Sequence, residues 1–207
     1  MSVHCDPVAK FNRFVITETE KHDVRVEYID EAIHVDEFGN VIGGEFDHAN
    51  KKLAISAGLS EDEHIRLLAH EFSHFQQWQR NTKAWRHITD TEYDHLLWDW
   101  LAGEDDYSES AVQESIARYI DVELECERMA LELIQQWSLP IDMKDYCREA
   151  NACLYFYNII GETRKWWGKD RAYNDPSILS IMPDELLNDY SHTPDNIRAA
   201  IRAELGE

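Results

Sequence analysis

The stretch SEDEHIRLLAHEFSHFQQWQ, Ser60 to Gln79, reads as one amphipathic helix. Ser60 suits the N-cap, Glu61, Asp62 and Glu63 suit the positive end of the helix dipole, and Glu63 holds the reciprocal capping position. Leu67, Leu68, Phe72 and Phe75 supply an apolar face around the centre. That centre is His70-Glu71-Phe72-Ser73-His74, an H-E-x-x-H sequence. Histidines at i and i+4 project from one face, close enough to bind a single tetrahedral zinc ion. Glu71, one residue after the first histidine, can take the proton of a water activated by that metal. The plainer alternative is a helix whose histidines only satisfy hydrogen bonds in the core. His64 lies outside the motif and is expected to cap or to be solvated.

Working outward, the residues before this helix read as strands. His22 to Ile29 alternates Val24, Val26 and Tyr28 on one side, and Ala32 to Val35 reads as a second strand, turned by Phe38-Gly39-Asn40 into Val41-Ile42. Gly43 to Asp47, a turn over His48 to Lys51, and Lys52 to Ser56 read as a hairpin closed by Gly58. After the motif the pattern is helical. Asn81 to Asp106 is less regular, with room for one short helix. A long helix starts at Ser108 or Ser110 and ends near Trp137, and the next runs from Met143 to about Trp167 behind Pro140 and Asp142. Pro176, Pro183 and Pro194 break the tail into short helices. The expectation is α+β: one domain over 1–207, mainly β to residue 58 and mainly α from 59, with a small N-terminal antiparallel sheet packed on a helical core.

A zinc site needs a third protein ligand. In the helix ending at Trp137, Glu125 falls in the polar row Arg118, Asp121, Glu125, Arg128, Glu132, which must face water. Glu123 and Glu127 fall instead in the row Ile116, Ile120, Glu123, Glu127, Ala130, Ile134, which is otherwise apolar. Carboxylates inside a buried stripe are costly unless a cation meets them, and a metal ion with its histidines would do so. A helix-edge pair bridged to Arg or Lys is the competing explanation.

The segment Glu123-Leu-Glu-Cys-Glu127-Arg-Met-Ala130 resembles the E-x-x-A-D/N-x-x-A segment of the gluzincin metallopeptidases, including minimal zincins of the ImmA/IrrE type. The hairpin running from Gly43 into the H-E-x-x-H helix is similar too, and the likeness covers about residues 40 to 140. It implies a zincin core, with Glu123 as third zinc ligand and Glu127 orienting a ligand histidine. The departures are Cys126 where Ala is usual and Glu127 where Asp or Asn is usual, so the Glu123/Glu127 assignment stays open. The run from Leu133 to Trp167 bears a looser likeness to small H-E-x-x-H proteins of tailed phages.

The 207 residues carry 20 basic and 41 acidic side chains, a formal charge of −21. Such a surface repels nucleic acid backbones and anionic lipid, and suits basic partners or plain solubility. Four cysteines without a C-x-x-C pair suggest neither a zinc knuckle nor a disulfide framework; Cys126 and Cys153 read as small buried residues. No apolar signal core opens the chain and no run approaches the roughly 18 apolar residues of a membrane span, so a reducing cytoplasm is expected, that of the host if the chain is phage-encoded. Tyr155, Phe156, Tyr157, Trp166 and Trp167 suit a core better than a cleft. Tyr155, Tyr157 and His192 stand unranked as groups that could steady an oxyanion.

Two functions follow as expectations. The first is a zinc metallopeptidase, cleaving a protein or peptide substrate, with His70, His74 and Glu123 on the metal and Glu71 as general base. The second is a non-catalytic acidic binding protein of zincin fold, gripping a basic partner or mimicking nucleic acid charge around a structural zinc. An intact Glu71 favours the first, because a structural site needs no base.

Overall fold

The computed structural model describes residues 6–30, 34–35, 41–89, 91, 93–104, 106–166 and 175–206. The fold is α+β, mainly helical with a small sheet. The chain forms two compact units, one of Met1–Arg80 with Cys126–Ile141, the other of Asn81–Glu125 with Asp142–Glu207.

The first unit opens with a helix, α1 (Pro7–Glu20), where the sequence reading expected strands. Asp6 caps it by accepting from the Val8 amide at 3.0 Å, and Pro7 sits in the first turn, where its missing N–H costs nothing. Val8, Phe11, Val15 and Thr19 form its buried stripe. The region up to residue 58 therefore holds a helix as well as its strands.

Strands β1 (Arg25–Ile29), β4 (Gly44–Asp47) and β5 (Lys52–Ser56) make one sheet in the order β1-β5-β4, and β2 (His34–Val35) pairs with β3 (Val41–Ile42) separately. The expected hairpin is present: β4 and β5 run antiparallel with Gly44 opposite Ile55, and Asp47 accepts from the Asn50 amide and side chain in the turn. The sheet is nevertheless mixed rather than antiparallel, because β1 lies parallel to β5 with Arg25 opposite Lys52. A parallel neighbour needs a long return path, and the chain between Ile29 and Lys52 supplies one, carrying β2, β3 and β4 on the way. The turn proposed at Phe38-Gly39-Asn40 and residues 32–33 lie outside the described residues.

Helix α2 (Glu61–Arg80) packs on β4 and β5. Its start follows the sequence: the Ser60 amide donates to Glu63 Oε2 at 3.0 Å, and the Glu63 amide donates to Ser60 Oγ at 3.3 Å. Ile65, Leu68, Ala69, Phe72 and Phe75 recur at three- and four-residue steps and are buried. Phe72 meets Phe11 edge-on, and Phe75 meets Phe46 of β4 in the same way, so α1 and the sheet both seal against this one helix. His64 neither caps nor stands free in water; it is half-buried and stacks on Tyr28 of β1.

The second unit is helical. Residues 81–106 hold two helices where one was expected, α3 (Lys83–Thr89) and α4 (Tyr93–Ala102). Helix α5 (Glu109–Trp137) begins in this unit and ends in the first. Helix α6 (Met143–Thr163) is capped by Asp142, and stops at Arg164, whose φ of 52° is left-handed, short of the Trp167 expected. The tail adds α7 (Pro176–Leu179) and α8 (Asp195–Glu204). Leu97, Ile116, Leu154, Ile159, Ile178 and Ile201 form the centre of this unit's core. Among the described residues no helix is long and apolar enough to cross a membrane.

Candidate metal centre

The centre is built on two helical segments of the first unit: the middle of α2 and the C-terminal third of α5. On α2, the four-residue step brings the rings of His70 and His74 to 4.7 Å between centroids, with planes at 87°. Their Nε2 atoms lie 3.2 Å apart. The other ring nitrogens point to separate partners. His74 Nδ1 is 2.8 Å from Gln77 Oε1, and His70 Nδ1 is 3.1 Å from Glu127 Oε1. An amide oxygen and a carboxylate only accept, so each Nδ1 is the donor and carries a proton. With both rings neutral, the lone pairs on Nε2 would face one another, so a proton on one ring or a metal ion between the two satisfies the contact.

Cys126 is the member that sequence reasoning missed as a site residue, although its burial was foreseen: it is fully buried. Its Sγ lies 3.3 Å from the His70 carbonyl oxygen and 3.6 Å from His70 Nδ1. Ligand atoms of His70, His74 and Cys126 all lie within 4.8 Å of one another, so this group can hold a metal ion. The surrounding charge bears on His70. Burial pushes its pKa down, but the charges and hydrogen bonds of Cys126 and Glu127 outweigh that and hold it well above the ordinary imidazole value.

Glu71 is buried on the same helix, at 6% exposure. A side chain at Gly44 would put its Cβ 2.9 Å from Leu67 and 3.1 Å from Glu71 Cγ. The bare glycine therefore lets the first residue of β4 lie directly against the helix turn that carries Glu71.

The three glutamates of α5 separate. Glu127 is buried and meets His70. Glu123 is half-buried, on the helix turn before Cys126. Glu125, expected to face water, is only half-buried and accepts a 2.5 Å hydrogen bond from Thr82 Oγ1. The three-four periodicity placed Glu127 correctly in the buried stripe, but Glu123, expected there with it, is half-buried like Glu125, and the pattern could not see Thr82, which lies 43 residues away in the chain.

The aromatic residues considered for a cleft belong to the core of the second unit. Tyr155 packs edge-on against Tyr190, Tyr157 stacks on Tyr119, and Trp166 packs against Trp98 and Phe156. His192 is exposed, and Trp167 lies outside the described residues. Cys126, Cys147 and Cys153 are in no disulfide, Cys147 buried and Cys153 half-buried. Compared with protein-family models, with curated proteins and with solved structures, the chain matches none.

Proposed function

We propose that this chain is a zinc-dependent metallopeptidase of the gluzincin type. The observation that supports it most is the pair of Nε2 atoms 3.2 Å apart with both Nδ1 atoms already engaged. Two nitrogens bound tetrahedrally to one zinc at about 2.0–2.1 Å stand about 3.3 Å from each other, so the histidines hold the spacing that the ion requires. His70 and His74 would bind the metal through Nε2, Glu127 and Gln77 would fix the two rings from behind, and Glu123 would approach as the third ligand. Zinc held there supplies Lewis acidity toward a peptide carbonyl and toward a water.

Glu71 then acts as the general base. It follows His70 directly and, at 6% exposure, is too enclosed to be a casual surface carboxylate. Its carboxylate accepts the proton of the attacking water and returns it to the leaving amine. The strongly acidic surface would favour basic substrates. Replacing Glu71 with Gln removes the proton acceptor while keeping size and hydrogen bonding. Glu71→Gln is expected to retain fold and bound zinc and to lose cleavage of a peptide library analysed by mass spectrometry. Unchanged cleavage by that variant would contradict the mechanism.

A second reading draws on Cys126. With thiolate in place of Glu123, the set His70, His74 and Cys126 would resemble a structural zinc site, in which sulfur ligands are common. The chain would then be an acidic zincin-like binding protein without peptidase activity.

A further inference from the structure

We propose that Gln77 is a positioning residue of the metal site, holding His74 in the one tautomer that leaves Nε2 free to coordinate. The proposal rests on the reading of His70 and His74 as metal ligands. Gln77 follows His74 by three residues on α2 and so shares its face of the helix. It is fully buried, and its Oε1 lies 2.8 Å from His74 Nδ1.

The direction of that bond decides the chemistry. An amide oxygen can only accept, so the proton resides on His74 Nδ1. The lone pair is thereby left on Nε2, the atom that lies 3.2 Å from His70 Nε2. A free imidazole exchanges between its two tautomers and turns about its side-chain bonds; this contact suppresses both motions. Gln77 is buried completely, where a leucine would bury more simply. Burying an amide is costly unless its polar atoms find partners. His74 is the partner that gives this one a purpose, since ligand histidines are commonly oriented through their second nitrogen. His70 receives the same service from Glu127, so the two rings are fixed independently by a neutral and a charged acceptor.

The test uses wild type, Gln77→Leu and Gln77→Glu, each with nitrogen-15 in its histidines. Spectra of the metal-free proteins at about pH 8, where an ordinary histidine is neutral, report which ring nitrogen bears the proton. Competition with a chelating dye gives the affinity for Zn2+ alone. Wild type should show His74 protonated at Nδ1. Gln77→Glu, which also offers an accepting oxygen, should keep that tautomer and bind Zn2+ at least as tightly. Gln77→Leu should lose the tautomer preference and bind Zn2+ roughly 10-fold more weakly, the lower end of the effect of removing such a partner. The proposal is overturned if wild-type His74 carries its proton on Nε2, or if Gln77→Leu keeps both the tautomer and the affinity. If Gln77→Leu does not fold, the wild-type spectrum and the Gln77→Glu pair still decide it. Wild-type protein that binds no Zn2+ overturns the metal reading as well, which separates the two failures.

Discussion

His70 and His74 hold their Nε2 atoms 3.2 Å apart while their Nδ1 atoms bond in other directions, to Glu127 and to Gln77. In neutral rings that arrangement sets two lone pairs against each other. A cation placed between them turns repulsion into attraction, and a proton or a metal ion can serve. The hydrogen bonds from behind are therefore compatible with a group that can hold a metal ion.

The same contacts separate the roles of Glu127 and Glu125. Glu127→Ala removes the carboxylate that accepts from His70 Nδ1, and is expected to weaken Zn2+ binding roughly 10- to 100-fold. Glu125→Ala removes the acceptor of Thr82, whose hydroxyl also receives the Trp85 amide at the start of α3. It should cost about 0.5–1.5 kcal/mol in denaturant unfolding, the net worth of a typical hydrogen bond, and leave Zn2+ affinity unchanged. Equal loss of affinity in the two variants would contradict the assignment.

The third ligand is decided by cobalt. Thiolate bound to Co2+ gives an intense near-ultraviolet charge-transfer absorption that carboxylate does not. The peptidase reading predicts that this band is absent, that Glu123→Ala loses tight Co2+ binding, and that Cys126→Ser retains it. A strong band abolished by Cys126→Ser would instead support the His70, His74 and Cys126 set and a structural role.

Proton competition gives a pH dependence with a definite sign. Because Cys126 and Glu127 hold the His70 pKa well above 6.5 despite its burial, the folded metal-free protein binds a proton there more tightly than the unfolded chain. The stability this contributes is fully present below about pH 6.5, and fades as the pH rises through the raised folded value. Metal must displace that proton, so Zn2+ affinity should rise with pH over the same window. Calorimetry at about pH 7 in buffers of different ionisation enthalpy should register proton release on Zn2+ binding, and less of it in Glu127→Gln. Equal proton release in the two proteins would argue against Glu127 as a cause of the raised value.

Much of this was readable from residues alone, for local reasons. Helix α2 carries its cap, its stripe and its histidine pair within twenty residues, and its course follows them. Glu127 was placed in a buried stripe by periodicity, and it is buried. What escaped depends on distance along the chain. The parallel seat of β1 beside β5 is set by the path between them, which alternation within a strand does not encode. Helix α1 is the exception, since Asp6-Pro7 and the three- and four-residue spacing of Val8, Phe11, Val15 and Thr19 are local signals. Cys126 meets His70 across 56 residues, and as a small apolar-looking residue beside two glutamates it gave no sign of joining them. Gln77 was legible in principle, since three residues on a helix put it beside His74.

The claim on which the rest stands is that one metal ion is held between His70 and His74. Metal content of the purified protein and of His74→Ala, after dialysis against limiting Zn2+, tests it most directly. The wild type should retain one zinc per chain, and His74→Ala should retain almost none, since the remaining ligands hold zinc weakly. Full zinc occupancy in His74→Ala, or none in folded wild-type protein, would contradict the account.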